Sequence, residues 1–414
     1  MEGMVLSFTA REGQAVITNS GAAACIVGFD GRVSVELFYS FSPEPLRLAA
    51  EAEPDDAVRL YVYPHRIGLY VNGELADEEW PCGNCLLSDI CVQTGDIPVV
   101  IAPLETKDEL DRPPSPRSCI TTAEIRRSCV NIGDCMPYSD ESGGDGLYHL
   151  FYLYDRHHHT SKWHLGAHQW AHVATKDFRL WKEYPMVVPI TRQWEGSICT
   201  GSVIRCGDLW YAWYAVRMAD RSPSRLTCAV SDDLVHFEKN GDFFTIPEGY
   251  DPGAARDPML FVCGRQYHML VTTRLLSDGS GCLAHLVNDE MAITGWRDAG
   301  CIMRWNDWCT PDSPEWNKVP ECADWFHAGG YYYLVFGMAS VSRYLFSKSP
   351  FGPWTCPEDN KIPCGAVPKS AVLPGTDRRV FMGFVGEGGY AGSLCAAEAF
   401  QNPDGTLRFK QLIP

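Results

Sequence analysis

Long apolar runs are missing from this chain: no uninterrupted stretch approaches the ~20 residues that a bilayer-spanning helix needs, so a soluble protein without a membrane partner is expected. Basic clusters are missing as well. The formal net charge is -17 and the pI is near 5.1. With no lysine-rich or arginine-rich run to offset it, a field of that sign repels phosphate backbones and anionic lipid, so nucleic acid is not an expected partner. Residues Met1 to Ala10 lack the basic start and apolar core of a secretory signal. The eighteen cysteines are scattered along a large chain rather than set out as a compact disulfide scaffold. Together these absences predict a cytoplasmic protein in which most cysteines are buried thiols. One C-x-x-C, Cys82 with Cys85, stands near Cys91, but no second pair or histidine pair follows it closely. Neither a metal nor another cofactor is therefore expected.

What is present is a repeat. The chain has 414 residues, 45% of them hydrophobic, which exceeds what one core usually serves and suggests two modules. A glycine turn followed by an aromatic-rich strand recurs from Gly146, Gly207, Gly264 and Gly330, with a worn fifth copy at Arg379-Val-Phe-Met-Gly-Phe. The intervals, roughly fifty to sixty-five residues, suit a four-stranded blade with long loops and are too long for a helical hairpin. A polar turn carrying an aromatic follows at Thr175–Trp181, Ser231–Phe237, Asn288–Trp296 and Ser347–Trp354. Val, Tyr, Phe and Trp dominate between turn residues, and no long segment keeps a helical apolar period. The expected fold is all-β: a five-bladed β-propeller over residues 118–414, preceded by a small β-sandwich-like module over 1–105. A Pro-rich linker, 106–117, divides them. Alternation in Val33–Tyr39 and Arg59–Tyr63, with a hairpin signal at Asn72-Gly73, supports the sandwich.

Three acids stand just ahead of three of the glycine turns: Asp134 in Gly133-Asp134-Cys-Met-Pro137, Asp257 in Arg256-Asp257-Pro258, and Glu321 in Pro320-Glu321-Cys-Ala-Asp-Trp325. In a propeller these segments form the innermost strands around the central channel, in phase with one another, so the three carboxylates should meet near the axis. That is what glycoside hydrolysis requires. One acid protonates the leaving oxygen while a carboxylate attacks, or activates water, opposite it. Shared charge and burial should push one of the pKa values upward and so divide the roles. Taken singly, an Asp before Pro is an ordinary turn feature. The set of three points to catalysis.

In these motifs the chain resembles the family-32 glycoside hydrolases, the invertases, inulinases and levanases, along nearly the whole propeller. Asp134 stands at that family's nucleophile in N-D-P-N-G, Arg256-Asp257-Pro258 matches its R-D-P transition-state stabiliser, and Glu321-Cys322 matches its E-C acid/base. Further matching text is His149-Leu-Phe-Tyr152, Trp170-Ala-His172 with Asp177 and Trp181 behind it, and Cys199-Thr-Gly-Ser202 in place of F-S-G-S. The resemblance implies a retaining enzyme acting on β-fructofuranosyl linkages through a covalent intermediate, with a small carbohydrate as partner. It also implies substrate contacts from Thr200, from Arg256, and from Trp163, which matches a tryptophan lining the sugar pocket. Departures are equally plain. Gly133 and Cys135–Pro137 lack the asparagines around the acid, and Leu153 replaces a glutamine whose amide contacts the sugar or the nucleophile. Gln169 and Asp155 are candidates to substitute for it. The extra module precedes the propeller instead of following it.

Asp155, Arg156, His157, His158 and His159, followed by Trp163, His168, Gln169 and Trp170, form a segment dense in sugar-binding side chains. A metal is the competing reading for the three histidines, but consecutive strand residues face opposite ways, so at most two would share a site. Trp170 reads equally as packing between blades. Glu195 and Asp251 carry no motif and are expected to be solvated, while Tyr331 to Tyr333 read as core and cross-strand packing. Two alternatives stay open: an arabinofuranosidase-like, xylosidase-like or phosphate-using enzyme on the same propeller, and a glycan-binding propeller without catalysis. The amino-terminal module carries no chemical signal and leaves open a homo-oligomer contact.

Overall fold

The structure is a computed structural model that describes residues 3–19, 22–63, 65–82, 90–104, 120–126, 131–140 and 144–414. The expected linker, 106–117, and Cys85 of the C-x-x-C lie outside the described residues. The chain is nearly all β and divides into two compact units. One comprises Met1–Ser115 with His159–Ala167 and Ile190–Gly196; the other comprises Pro116–His158, His168–Pro189 and Ser197–Pro414. Among the described residues no helix is long and apolar enough to cross a membrane. Cys25, Cys82, Cys135, Cys228, Cys282, Cys322, Cys364 and Cys395 are buried.

The first unit holds two five-stranded antiparallel sheets. One is ordered Val100–Pro103, Met4–Thr9, Ala57–Val62, Ile67–Val71, Glu74–Glu79, and the other Leu46–Glu51, Arg32–Leu37, Ala22–Phe29, Gly13–Asn19, Ile90–Gly95. Burial alternates along Met4–Thr9, Arg32–Leu37 and Leu46–Glu51, which is the mark of strands with one face on a shared core. Asn72 and Gly73 both have positive φ, 51° and 87°, as a tight two-residue hairpin demands. The segment Ser161–His164 belongs to this unit, and Lys162, Trp163 and His164 are all left-handed, with φ of 54°, 52° and 63°. Three consecutive side chains in that region are costly and need outside support. The Lys162 amide donates to Glu79 Oε2 at 3.0 Å, and its ammonium donates to the Glu195 carbonyl. Glu195 itself corrects an expectation: it is buried at 1% exposure, because its carboxylate caps the amides of Thr191 and Arg192 at 2.8 and 2.9 Å.

The second unit is the five-bladed propeller. Blade one contains Asn131–Tyr138, Tyr148–Asp155, Gln169–Thr175 and Leu180–Glu183; blade two Glu195–Cys206, Leu209–Met218, Arg225–Ser231 and Glu238–Lys239. Blade three contains Arg256–Cys263, Gln266–Arg274, Gly281–Asn288 and Arg297–Arg304; blade four Glu321–Ala328, Tyr331–Met338 and Val341–Ser347; blade five Ala366–Val372, Arg379–Gly386, Gly392–Gln401 and Leu407–Ile413. Ile132 pairs with Gly392, so blades one and five join into one sheet and close the ring. The first strands of all five blades line an axial cavity of about 540 Å³.

Aromatic cores fill the gaps between blades. Trp213 of blade two meets Trp296 of blade three edge-on, with ring centroids 5.7 Å apart. Phe261 of blade three stacks on Trp325 of blade four at 4.0 Å, and Phe326 of blade four meets Phe381 of blade five at 6.0 Å. Trp170 is fully buried against Tyr214 of blade two, so its role is packing. Tyr333 is buried and stacked on Phe326, in line with the packing expected of that tyrosine run. The polar turns after the third strands close on their own acids: Asp177 takes the amides of Arg179 and Leu180, and Asp233 takes those of Val235 and His236.

Blades one and three also share a buried histidine pair between their second and third strands. His149 Nδ1 and His172 Nε2 lie 2.9 Å apart, and His268 Nδ1 and His285 Nε2 lie 2.8 Å apart. Burial, reinforced by His268, lowers His285 from 6.5 to about 4, and burial likewise holds His172 well below the usual range. An unfolded histidine takes its proton near pH 6.5, whereas His285 and His172 in the folded chain resist protonation until lower pH. Stability should therefore fall as the pH drops from about 6.5 to about 4, by up to ~3 kcal/mol for His285 alone. Urea midpoints measured across that window should decline in the native chain and decline less in His285→Gln. Parallel slopes would refute this account.

Candidate active site

The innermost strands of blades one, three, four and five share a local irregularity. Each sets two residues opposite one on its neighbour: Gly133-Asp134 in blade one, Asp257-Pro258 in blade three, Cys322-Ala323 in blade four and Val367-Pro368 in blade five. Such a bulge bends the strand and re-aims side chains that a regular pleat would send to opposite faces. Asp257, Cys322 and Val367, the first residues of three of these bulges, bear the strain, with φ of 54°, 52° and 37°. The three acids thus lie at or beside a bulge without sharing one position, which corrects the expectation that they are in phase. Glu321 immediately precedes the bulge, Asp257 is its first residue and Asp134 its second.

The structure brings these acids together through two intermediaries. Cys322 joins two of them: its amide donates to Asp257 Oδ2 at 3.0 Å and its thiol to Asp134 Oδ2 at 3.4 Å. Burial, with the charges of Asp134 and Asp257 added, holds that thiol well above its ordinary pKa, so it keeps the proton it donates. Arg256 joins the other pair, donating to Glu321 Oε1 at 2.6 Å while its Nε lies 3.7 Å from Asp257 Oδ2. Asp134 and Asp257 are buried, whereas the Glu321 side chain is half exposed. Burial raises the Asp257 carboxyl above its ordinary value; Arg256 opposes that shift, and Glu321 and Asp134 add to it.

Asp134 is held on both oxygens. Thr200 of blade two donates to Oδ2 alongside Cys322, and Tyr390, from the turn between the second and third strands of blade five, donates to Oδ1 at 2.9 Å. Thr200 thus sits against the acid itself. Gly201 is held tightly here, since a Cβ on it would lie 1.7 Å from the Trp213 carbonyl. The buried Lys369 ammonium reaches across from blade five to the Gly201 carbonyl at 2.7 Å.

The other predicted residues divide. Asp155 is buried and bonded to His168 at 2.7 Å, and Gln169 is buried at the start of its strand. Arg156 lies against Tyr154, donating to its hydroxyl at 3.0 Å. His157 to His159 form a turn, with positive φ at His158 and His159, so the strand geometry assumed for them does not apply. No cluster of three potential metal ligands occurs among the described residues. Trp163 lies in the other compact unit, tilted over Phe41 at 4.9 Å and donating to the Glu44 carbonyl at 2.8 Å. Sequence reasoning missed Tyr390, which sits in a glycine-rich turn with no motif around it, and His168 as the partner of Asp155.

Fold and cluster together define a class: five-bladed propellers with acids gathered at the starts of their innermost strands. Within that class, residues 142–289 match the glycosyl hydrolases family 32 N-terminal domain, so this chain carries that family's signature over the segment containing Asp257. It is 29% identical over 161 residues to a sucrose-6-phosphate hydrolase of Bacillus subtilis (strain 168), covering 38% of this chain and 32% of that protein. It is 26% identical over 217 residues to one from Escherichia coli, covering 48% and 40%. The chain therefore spans between a third and two fifths of the length of these curated relatives. In fold it is similar to sucrose-6-phosphate hydrolase from Lactobacillus gasseri, with TM-score 0.54, 16% identity, and coverage of 70% of this chain and 65% of that one. It is also similar to RS223 beta-xylosidase, with TM-score 0.53, 14% identity, and coverage of 71% and 97%.

The Asp257 shift has a consequence for stability. Its carboxyl binds a proton more tightly in the folded chain than in the unfolded one, so folding loses stability as pH rises through the folded value, and Arg256 offsets that loss. Arg256→Met should cost more stability at pH 7 than at pH 4, read from urea midpoints at both. Equal losses would show that Arg256 does not compensate the buried charge.

Proposed function

We propose that this chain is a retaining glycoside hydrolase that cleaves β-fructofuranosyl-type linkages in fructosides or short fructo-oligosaccharides. The observation that carries the reading is the single residue Cys322, which donates to both Asp134 and Asp257 and is the immediate neighbour of Glu321. Three acids distant in the chain are thereby held around one point. The family signature over residues 142–289 supports the choice of substrate class.

In this mechanism Asp134 attacks the anomeric carbon while Glu321 protonates the glycosidic oxygen, giving a fructosyl-enzyme ester; water then releases the sugar with Glu321 as base. Asp134 suits attack because its donors fix the carboxylate in one orientation. Asp257, buried beside it, accepts ring hydroxyls and favours the developing positive charge without bonding to carbon. Glu321 Oε1 accepts from Arg256, so for Glu321 to face the leaving oxygen the guanidinium turns toward sugar hydroxyls. Gln169, Asp155, Arg156 and His157 are assigned to the substrate side, and Trp163 is a proposed sugar contact on the strength of the family match alone. The cytoplasmic assignment rests on composition.

Of sucrose, sucrose 6-phosphate, inulin-type and levan-type oligosaccharides and aryl arabinofuranosides, the fructosides should be hydrolysed, releasing fructose first seen as its β-anomer by NMR. Asp134→Asn and Glu321→Gln should each lower kcat by ~10³-fold or more with the fold intact by circular dichroism. Near-native turnover in either variant would sink the assignment. Release of arabinose alone would move the chain to the arabinofuranosidase reading, and binding without turnover to the glycan-binding one.

A further inference from the structure

Gly133 stands where the family resemblance puts an asparagine and Leu153 where it puts a glutamine, so the amides expected around Asp134 are absent from this chain. The space they leave is filled. A Cβ on Gly133 would lie 2.8 Å from the Tyr390 hydroxyl and 3.0 Å from Leu153 Cβ, the first closer than real Cβ atoms come. The phenol from blade five occupies the volume in which a side chain at position 133 would begin. From there it donates to Asp134 Oδ1 at 2.9 Å and accepts the Asp134 amide at 3.3 Å.

Tyr390 is itself braced. Its ring stacks on His168, with centroids 5.1 Å apart and planes at 26°, and His168 bonds Asp155 at 2.7 Å, both residues being buried. Its carbonyl is 2.9 Å from His158 Nδ1. Burial, with the charge of Asp134 added, pushes the phenol well above its ordinary pKa, so it stays a donor. A donor set this rigidly toward a buried carboxylate stabilises the ionised form and selects one rotamer.

We propose that Tyr390 is the positioning residue for Asp134: blade five supplies through a phenol the hydrogen bond that blade one no longer supplies through amides, and Gly133 is the residue that admits it. This rests on the reading of Asp134 as nucleophile. It gives His168 the role of supporting Tyr390, beside the substrate-side assignment of its partner Asp155, and makes Gly133 and Tyr390 a coupled pair.

The test uses the full chain and whichever fructoside it turns over fastest. Tyr390→Phe should lower kcat about 10- to 100-fold, the usual weight of a hydrogen bond to a charged group, with KM changed less than ~3-fold. The acidic limb of its kcat/KM profile should move to higher pH, because the site loses a hydrogen-bond donor that favours a charged carboxylate. A purely structural role would leave that limb in place. Gly133→Ala should act in the same direction, and should cost less in the Tyr390→Phe background, where the hydroxyl it crowds is gone. Native kcat and an unmoved acidic limb in Tyr390→Phe, with Asp134→Asn inactive, would overturn this proposal alone. Full activity in Asp134→Asn would instead overturn the nucleophile reading on which it stands.

Discussion

Everything in this site follows from the cost of keeping two carboxylates out of water beside a third. Isolated buried charges are strongly disfavoured, and they persist only where hydrogen bonds and an opposite charge replace the lost solvent. Asp134 receives Thr200, Cys322 and Tyr390; Asp257 receives the Cys322 amide and the field of Arg256. Arg256 stands between two acids, and the residual imbalance appears as the raised Asp257 carboxyl. Carboxylates held this way keep fixed positions and directions.

The ring architecture makes that arrangement possible because each acid comes from a different blade. A single strand could not present three acids to one point, since its side chains alternate. The bulge repeated in blades one, three and four solves the remaining problem of direction, letting residues at three successive positions turn to the same region. Strain at Asp257 and Cys322 is sustained by aromatic packing between blades, of which Trp213 on Trp296 and Phe261 on Trp325 are the clearest cases. The core thus serves the site by holding a backbone that would otherwise relax.

Much was legible before any coordinates. Glycine turns followed by aromatic strands at blade-length intervals revealed the propeller, because period-two strands and their turns are local properties of composition. Asp134, Asp257 and Glu321 stood out because each precedes a glycine turn that opens the second strand of its blade. Glu195 was misread as solvated, since nothing local signals that its carboxylate caps two amides in a buried loop. The histidine run was misread as strand for a similar reason: left-handed φ at His158 and His159 is imposed by the surrounding structure, not by residue preference.

The amino-acid order alone determined the number of blades, the positions of the three acids and the loss of the amides around Asp134, because turn chemistry, strand propensity and residue identity are written locally. What replaced those amides was decided only by the tertiary structure. Tyr390 lies 256 residues from Asp134 in the chain, and it reaches the carboxylate because ring closure sets blade five against blade one at Ile132 and Gly392. Contacts made by closing a ring have no counterpart in local sequence, so a missing residue can be read from the chain but its substitute cannot.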